Sequence, residues 1–237
     1  MTAPDSPAFS SDRQTPEWAM ILALAAVSVG LRLTLALMPL NRAEYTDGIL
    51  QLTLFSQGNP YWPPLYSALA VGLGSLLGDA ELGGRLVSAL LGGLCIIPLC
   101  LIAHRLGGRR AASLAGIIFL VLPEPLRWGI RVMTDATFLT LFATCILLLM
   151  PDEKTCPIRR LVWATAFAVL ATLTRYQGLI LAFPILYAIL QRLKNRQTIW
   201  QILLAQIFWL AIPLWMFRGG FAHLRQFADR SGADLGL

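Results

Sequence analysis

"LVSALLGGLCIIPLCLIAHRLGGRRAASLAGIIFLVLPEPLR", Leu86 to Arg127, decides the fold class. It holds two apolar runs separated by a basic, glycine-containing cluster, "HRLGGRR", His104 to Arg110. A helix needs about 20 apolar residues to cross the hydrocarbon core of a bilayer. Lys and Arg gather in the short loops at a membrane face. The stretch therefore reads as two membrane helices joined by a basic turn.

The rest of the chain follows the same grammar. It is 57% hydrophobic and 14% charged, against roughly a quarter charged in ordinary soluble domains. The reading is an all-α, polytopic membrane bundle of about seven spans, near 18–39, 82–103, 111–127, 134–150, 160–175, 177–191 and 198–217. Placing the basic loops His104–Arg110, Pro151–Arg160 and Gln191–Gln197 in the cytoplasm puts the N-terminus inside. Residues 1–16 read as a disordered cytoplasmic leader, 17–217 as the membrane domain and 218–237 as a short external tail. The leader is not basic and the first apolar run is a full span, which argues against a signal peptide.

The formal charge of +6 does not point to nucleic acid, because the basic residues lie at the ends of apolar segments and not on one patch. Cys95, Cys100 and Cys145 sit in apolar runs and Cys156 in a polar loop, with no disulfide or zinc spacing. His104 and His223 have no second metal ligand near them in sequence.

Residues 40–80 form the first external loop in this topology. Within it, "YTDGILQLTLFSQG", Tyr45 to Gly58, suits an interfacial helix. "PPLYSALAVGLGSLLG", Pro63 to Gly78, rises only about 24 Å as a helix, short of the ~30 Å core. It reads as a helix dipping into the outer leaflet or packed against the bundle; the alternative is a true span with an inverted N-terminus. Tyr61, Trp62, Tyr66, Trp128 and Tyr176 are expected at the outer interface, and Trp18, Trp163 and Trp200 at the inner one. Arg32, the main charge inside a span, could snorkel from near the outer end of the first one.

Sorted by side, Glu44, Asp47, Arg85, Glu124, Arg127, Arg131, Asp135 and Arg175 share the external face. Acids near membrane depth are costly and suggest function, although residues at span ends can also reach water or pair with one another. Thr134 or Asp135 as a helix N-cap, worth about 1 kcal/mol, explains an acid at that point without chemistry. It does not explain why several arginines lie on the same side. Guanidinium groups suit phosphate because their planar fork donates two parallel hydrogen bonds.

The order of these segments resembles the GT-C superfamily of polyprenyl-phosphate-sugar glycosyltransferases, in the branch of the protein O-mannosyltransferases and lipid A aminoarabinose transferases. The resemblance rests on "AEYTDG" at Ala43–Gly48, "PPLY" at Pro63–Tyr66 and "GDAELGGRLVSALLGGL" at Gly78–Leu94. It continues through "AHRLGGRRAASLAG" at Ala103–Gly116, "LPEPLRWGIRVMTDATFL" at Leu122–Leu139 and "LATLTRYQGLIL" at Leu170–Leu181.

The resemblance implies transfer of a sugar from a polyprenyl-phosphate lipid to a hydroxyl of a glycan, lipid or protein, with inversion. It implies Asp47 as general base, with Glu44 as alternate, and Asp135 as the acid of the second external loop. Asp47 and Asp135 could also ligate a divalent metal ion. Arg175 and Arg131 are the first candidates for the phosphate, with Arg85 and Tyr66 beside them. Such enzymes usually carry further spans and often a soluble C-terminal domain, which leaves the donor site less complete here. Two other classes remain open: a transporter or flippase of lipid-linked intermediates, and a non-catalytic membrane scaffold.

Overall fold

Helix α1, Trp18–Leu37, is 20 residues long and so rises about 30 Å, the depth of a hydrocarbon core. Its buried residues Ile21, Ala25, Ser28, Arg32 and Ala36 recur every three or four positions, which places them on one face. The computed structural model describes residues 16–38, 46–58, 62–150 and 157–194, with Gln206 and Trp209 beyond them. The expected leader (except Pro16), the seventh span (except Gln206 and Trp209) and the external tail lie outside the described residues. All regular structure among the described residues is helical.

The inward face of α1 packs antiparallel on α4, Ala80–Leu94, and the first part of α5, Ile96–Val121. Arg85 of α4 donates to the Ala36 carbonyl near the end of α1, while Ile21 and Ala25 pack with Ile96 and Cys100. A Cβ on Gly93 would lie 2.7 Å from Val29 Cα, so glycine lets the two backbones meet, as in small-residue pairing within membranes. Asp79 starts α4 by accepting from the Glu81 and Leu82 amides at 2.9 and 3.1 Å, the usual N-cap arrangement.

The basic cluster does form a turn. Gly107 and Gly108 leave helical geometry inside α5, with Gly108 at φ 70° and ψ −162°. A straight helix would hold Cys100 and Gly116 roughly 24 Å apart. Instead, a Cβ on Gly116 would lie 2.9 Å from Cys100 Sγ, so the second limb of α5 folds back on the first.

Two stretches of helix are long and apolar enough to cross a membrane: Trp18–Leu37, and Ala80–Val121, which comprises α4 and both limbs of α5. The other apolar helices are shorter. Helix α7, Asp135–Leu149, and α8, Ile158–Thr172, have 15 residues each, a rise of about 22 Å.

The expected span 111–127 ends early, at Val121. Leu122 is extended, at φ −63° and ψ 122°, because the residue before a proline avoids helical geometry. Pro123 then opens a separate short helix, α6, Pro123–Trp128. The expected span 177–191 is likewise divided into a 3-10 turn, Tyr176–Leu181, and α9, Ala182–Lys194.

Two helices form in the first loop, α2 over Thr46–Ser56 and α3 over Pro64–Leu77. Pro63 and Pro64 start α3, and Gly78 ends it in the left-handed conformation at φ 76°, where only glycine is at ease. Helices α3 and α4 form a tight hairpin, for a Cβ on Gly83 would lie 2.3 Å from the Ala70 carbonyl oxygen. On the other side, α7, α8 and α9 share a core of Leu141, Cys145, Leu161, Ala164, Ala168 and Ile185. Thr140 of α7 donates to Leu91 O of α4 at 2.7 Å and joins the two halves.

Candidate active site

At the start of α7, Thr134 occupies the N-cap position but has helical dihedrals and makes no capping bond with its side chain. The Asp135 carboxylate is turned instead to Arg175, forming an ion pair with Nη1. Thr134 Oγ1 accepts from the same nitrogen at 3.4 Å. Neither side chain is buried: Arg175 is 30% and Asp135 37% exposed. A pair this open to water stabilises a fold by no more than about 1 kcal/mol, so stability alone gives little reason for it.

Arg175 is held by the corner between α8 and the 3-10 turn, where its backbone is extended. A Cβ on Gly178 would lie 2.4 Å from the Thr172 amide nitrogen, so that corner closes only around a glycine. The Leu65 amide donates to Leu173 O at 2.9 Å, which fixes the start of α3 to the same corner.

Tyr66 reaches into the hairpin and does not mark the outer interface as expected. It is fully buried, with its hydroxyl 3.0 Å from both Gly84 O and Ser88 Oγ. Ser88 lies 3.1 Å from Met133 O, two residues before Asp135. These contacts lock the loop leading into α7 onto α3 and α4. Burial pushes the Tyr66 phenol above its ordinary range, and the hydrogen bond with Ser88 only partly offsets this.

The second acid arrives on α2. Asp47 is exposed in the first turn of that helix. Its neighbour Gly48 sits against the α6–α7 loop, where a Cβ would lie 2.0 Å from Val132 O. The turn bearing Asp47 thus docks on the loop that becomes Asp135 three residues later, and Arg131 belongs to that loop.

The other expected site residues fall elsewhere. Arg85 is buried, spends its Nη1 on the Ala36 carbonyl and stands 3.6 Å from Glu81, so it closes the end of α1. Glu44 lies outside the described residues. Arg32 does not snorkel; it is completely buried beside Ser28 and Phe119. Ser88 carried no sequence signal beyond being small and polar, and Thr134 only that of a candidate N-cap.

Among the described residues no group of three His, Cys, Asp or Glu side chains comes together, and the Asp135 carboxylate faces a guanidinium. Among the described residues, one paired and one exposed carboxylate do not make up the ligand set of a divalent ion.

Among its described residues the protein is all-helical, with membrane-length helices and an acid–guanidinium pair at the start of α7. Residues 62–217 match the dolichyl-phosphate-mannose-protein mannosyltransferase family, and the chain belongs to that family. Membership places it in the GT-C superfamily, among membrane glycosyltransferases that use a lipid-linked sugar. The match includes Tyr66, Arg131, Asp135 and Arg175 and begins after α2. No curated protein and no solved structure matches the chain.

Proposed function

We propose that the protein transfers a sugar from a polyprenyl-phosphate donor to a hydroxyl acceptor at the external face of a multi-pass bundle whose N-terminus is cytoplasmic. The contact of Gly48, the neighbour of Asp47, with Val132 O, three residues before the acid of the Asp135–Arg175 pair, is the observation that supports this reading.

Such a donor already has a phosphate leaving group, so the step needs a base for the acceptor and a cation for the departing charge. Asp47, open to solvent, takes the acceptor proton as the acceptor oxygen attacks the anomeric carbon. The bond from that carbon to the phosphate oxygen breaks, its electron pair leaves with the lipid phosphate, and configuration inverts. Arg175 receives the developing phosphate charge, with Arg131 of the α6–α7 loop as the second candidate. Asp135 is the positioning residue that aims Arg175.

The test is transfer from a polyprenyl-phosphate sugar by the full chain in lipid vesicles. Asp47→Asn is expected to lower the rate by about 10²–10⁴-fold, the usual contribution of a general base. Undiminished transfer by that variant would remove Asp47 from the mechanism.

A further inference from the structure

Arg32 is the only charged residue in α1, and it has no exposed surface. Its Nη1 donates to Ser28 Oγ at 2.6 Å and approaches Ser28 O at 3.3 Å. Its guanidinium carbon lies 4.8 Å from the centre of the Phe119 ring. Nε and Nη2 have no hydrogen-bond acceptor, and no carboxylate pairs with Arg32 among the described residues. A buried cation left this way opposes folding, and an apolar side chain of similar volume would serve packing better. The two unmet donors call for an anion that the described residues do not supply.

The surroundings say where such an anion would sit. A Cβ on Gly129 would lie 2.8 Å from Arg32 Nε, and one on Gly92 3.7 Å from it. The Gly92 position also lies 3.0 Å from Ala136 Cβ, so the guanidinium stands near Ala136 in the first turn of α7. That turn has amides without intrahelical acceptors, and the helix dipole adds positive potential there. Gly129 follows α6, a short helix with no buried residue of its own.

We propose that Arg32 is a second cation of the donor site: its Nε and Nη2 bind the phosphate of the lipid-linked sugar from within the bundle, in the glycine-walled notch between α1, α4 and the start of α7. This rests on the lipid-phosphate reading above. The fork has the two parallel donors a phosphate accepts, and Arg175 reaches the same end of α7 from the α8 corner. Ser28 and Phe119 are positioning residues for it.

The test is equilibrium binding of farnesyl phosphate and of farnesol to the full chain in lipid nanodiscs, corrected for uptake by empty discs. The wild-type chain is expected to prefer the phosphate. Arg32→Gln is expected to weaken farnesyl phosphate binding about tenfold or more and to leave farnesol unchanged. Arg32→Lys, which keeps the charge without the fork, is expected to fall between. Wild-type affinity for the phosphate in Arg32→Gln would overturn the assignment while leaving the function standing, especially with a raised Tm. If Arg32→Gln does not fold, undiminished binding in Arg32→Lys overturns it equally. A wild-type chain with no preference for the phosphate would sink both the donor reading and this site.

Discussion

Replacing Gly48 by alanine tests whether α2 presents Asp47 to the site or merely lies near it. The added Cβ would stand 2.0 Å from Val132 O and 3.1 Å from Val132 Cβ. Restoring an ordinary contact requires α2 to move roughly 1.5 Å from the loop. Alanine favours the helix by about 1 kcal/mol over glycine, while overpacking costs typically 1–3 kcal/mol, so the expected net loss of stability is about 0–2 kcal/mol. The effect on catalysis is not small, since a misplacement of about 1 Å can cost 10²-fold in rate. Initial rates of sugar transfer in vesicles, normalised to folded protein, are therefore expected to fall about 10²-fold in Gly48→Ala. Gly72→Ala is the control, because its Cβ would have nothing within 4 Å; it should keep its rate and gain a little stability. Transfer by Gly48→Ala within a few-fold of wild type would refute the claim that the Gly48–Val132 contact sets the position of the base.

Asp135→Asn and Arg175→Gln, alone and together, should each lower transfer about 10²-fold or more, the double variant being hardly worse than either because the two act as one unit. Their coupling in thermal stability should stay below about 1 kcal/mol; a large stability coupling with retained activity would make the pair structural. Tyr66→Phe leaves Gly84 O and Ser88 short of a partner in a buried site and should cost about 1–2 kcal/mol, read as a Tm lower by a few degrees. Gly108 has φ 70° and ψ −162°, a region nearly closed to other residues, so Gly108→Ala should destabilise by about 1–3 kcal/mol with no specific effect on donor binding.

Much of the helical framework was legible because local chemistry fixes it. Pro63, Pro64 and Gly78 bound α3, and the Gly107–Gly108 pair breaks α5 inside the basic cluster. Elsewhere local signals competed. Pro123 ends the second apolar run, but hydropathy alone carried that run through to Arg127. A six-residue 3-10 turn precedes α9 because Gly178 must pass against Thr172, a tertiary demand that no periodicity announces.

The site was legible as a list and not as an arrangement. Asp135 and Arg175 shared a predicted face, yet their pairing across 40 positions depends on how α7 meets the α8 corner. Tyr66 looked like an interfacial aromatic and Arg32 a snorkelling cation, because both usually are. Their inward turn follows from Gly84, Gly92 and Gly129, whose missing side chains make room for them.

The most direct measurement follows a labelled sugar from its polyprenyl-phosphate carrier to a hydroxyl acceptor, using purified full-length chain in vesicles. The account predicts transfer with inverted anomeric configuration by the wild-type chain and a loss of about 10²-fold or more in Asp135→Asn. Transfer by Asp135→Asn at the wild-type rate, or retention of configuration, would contradict it.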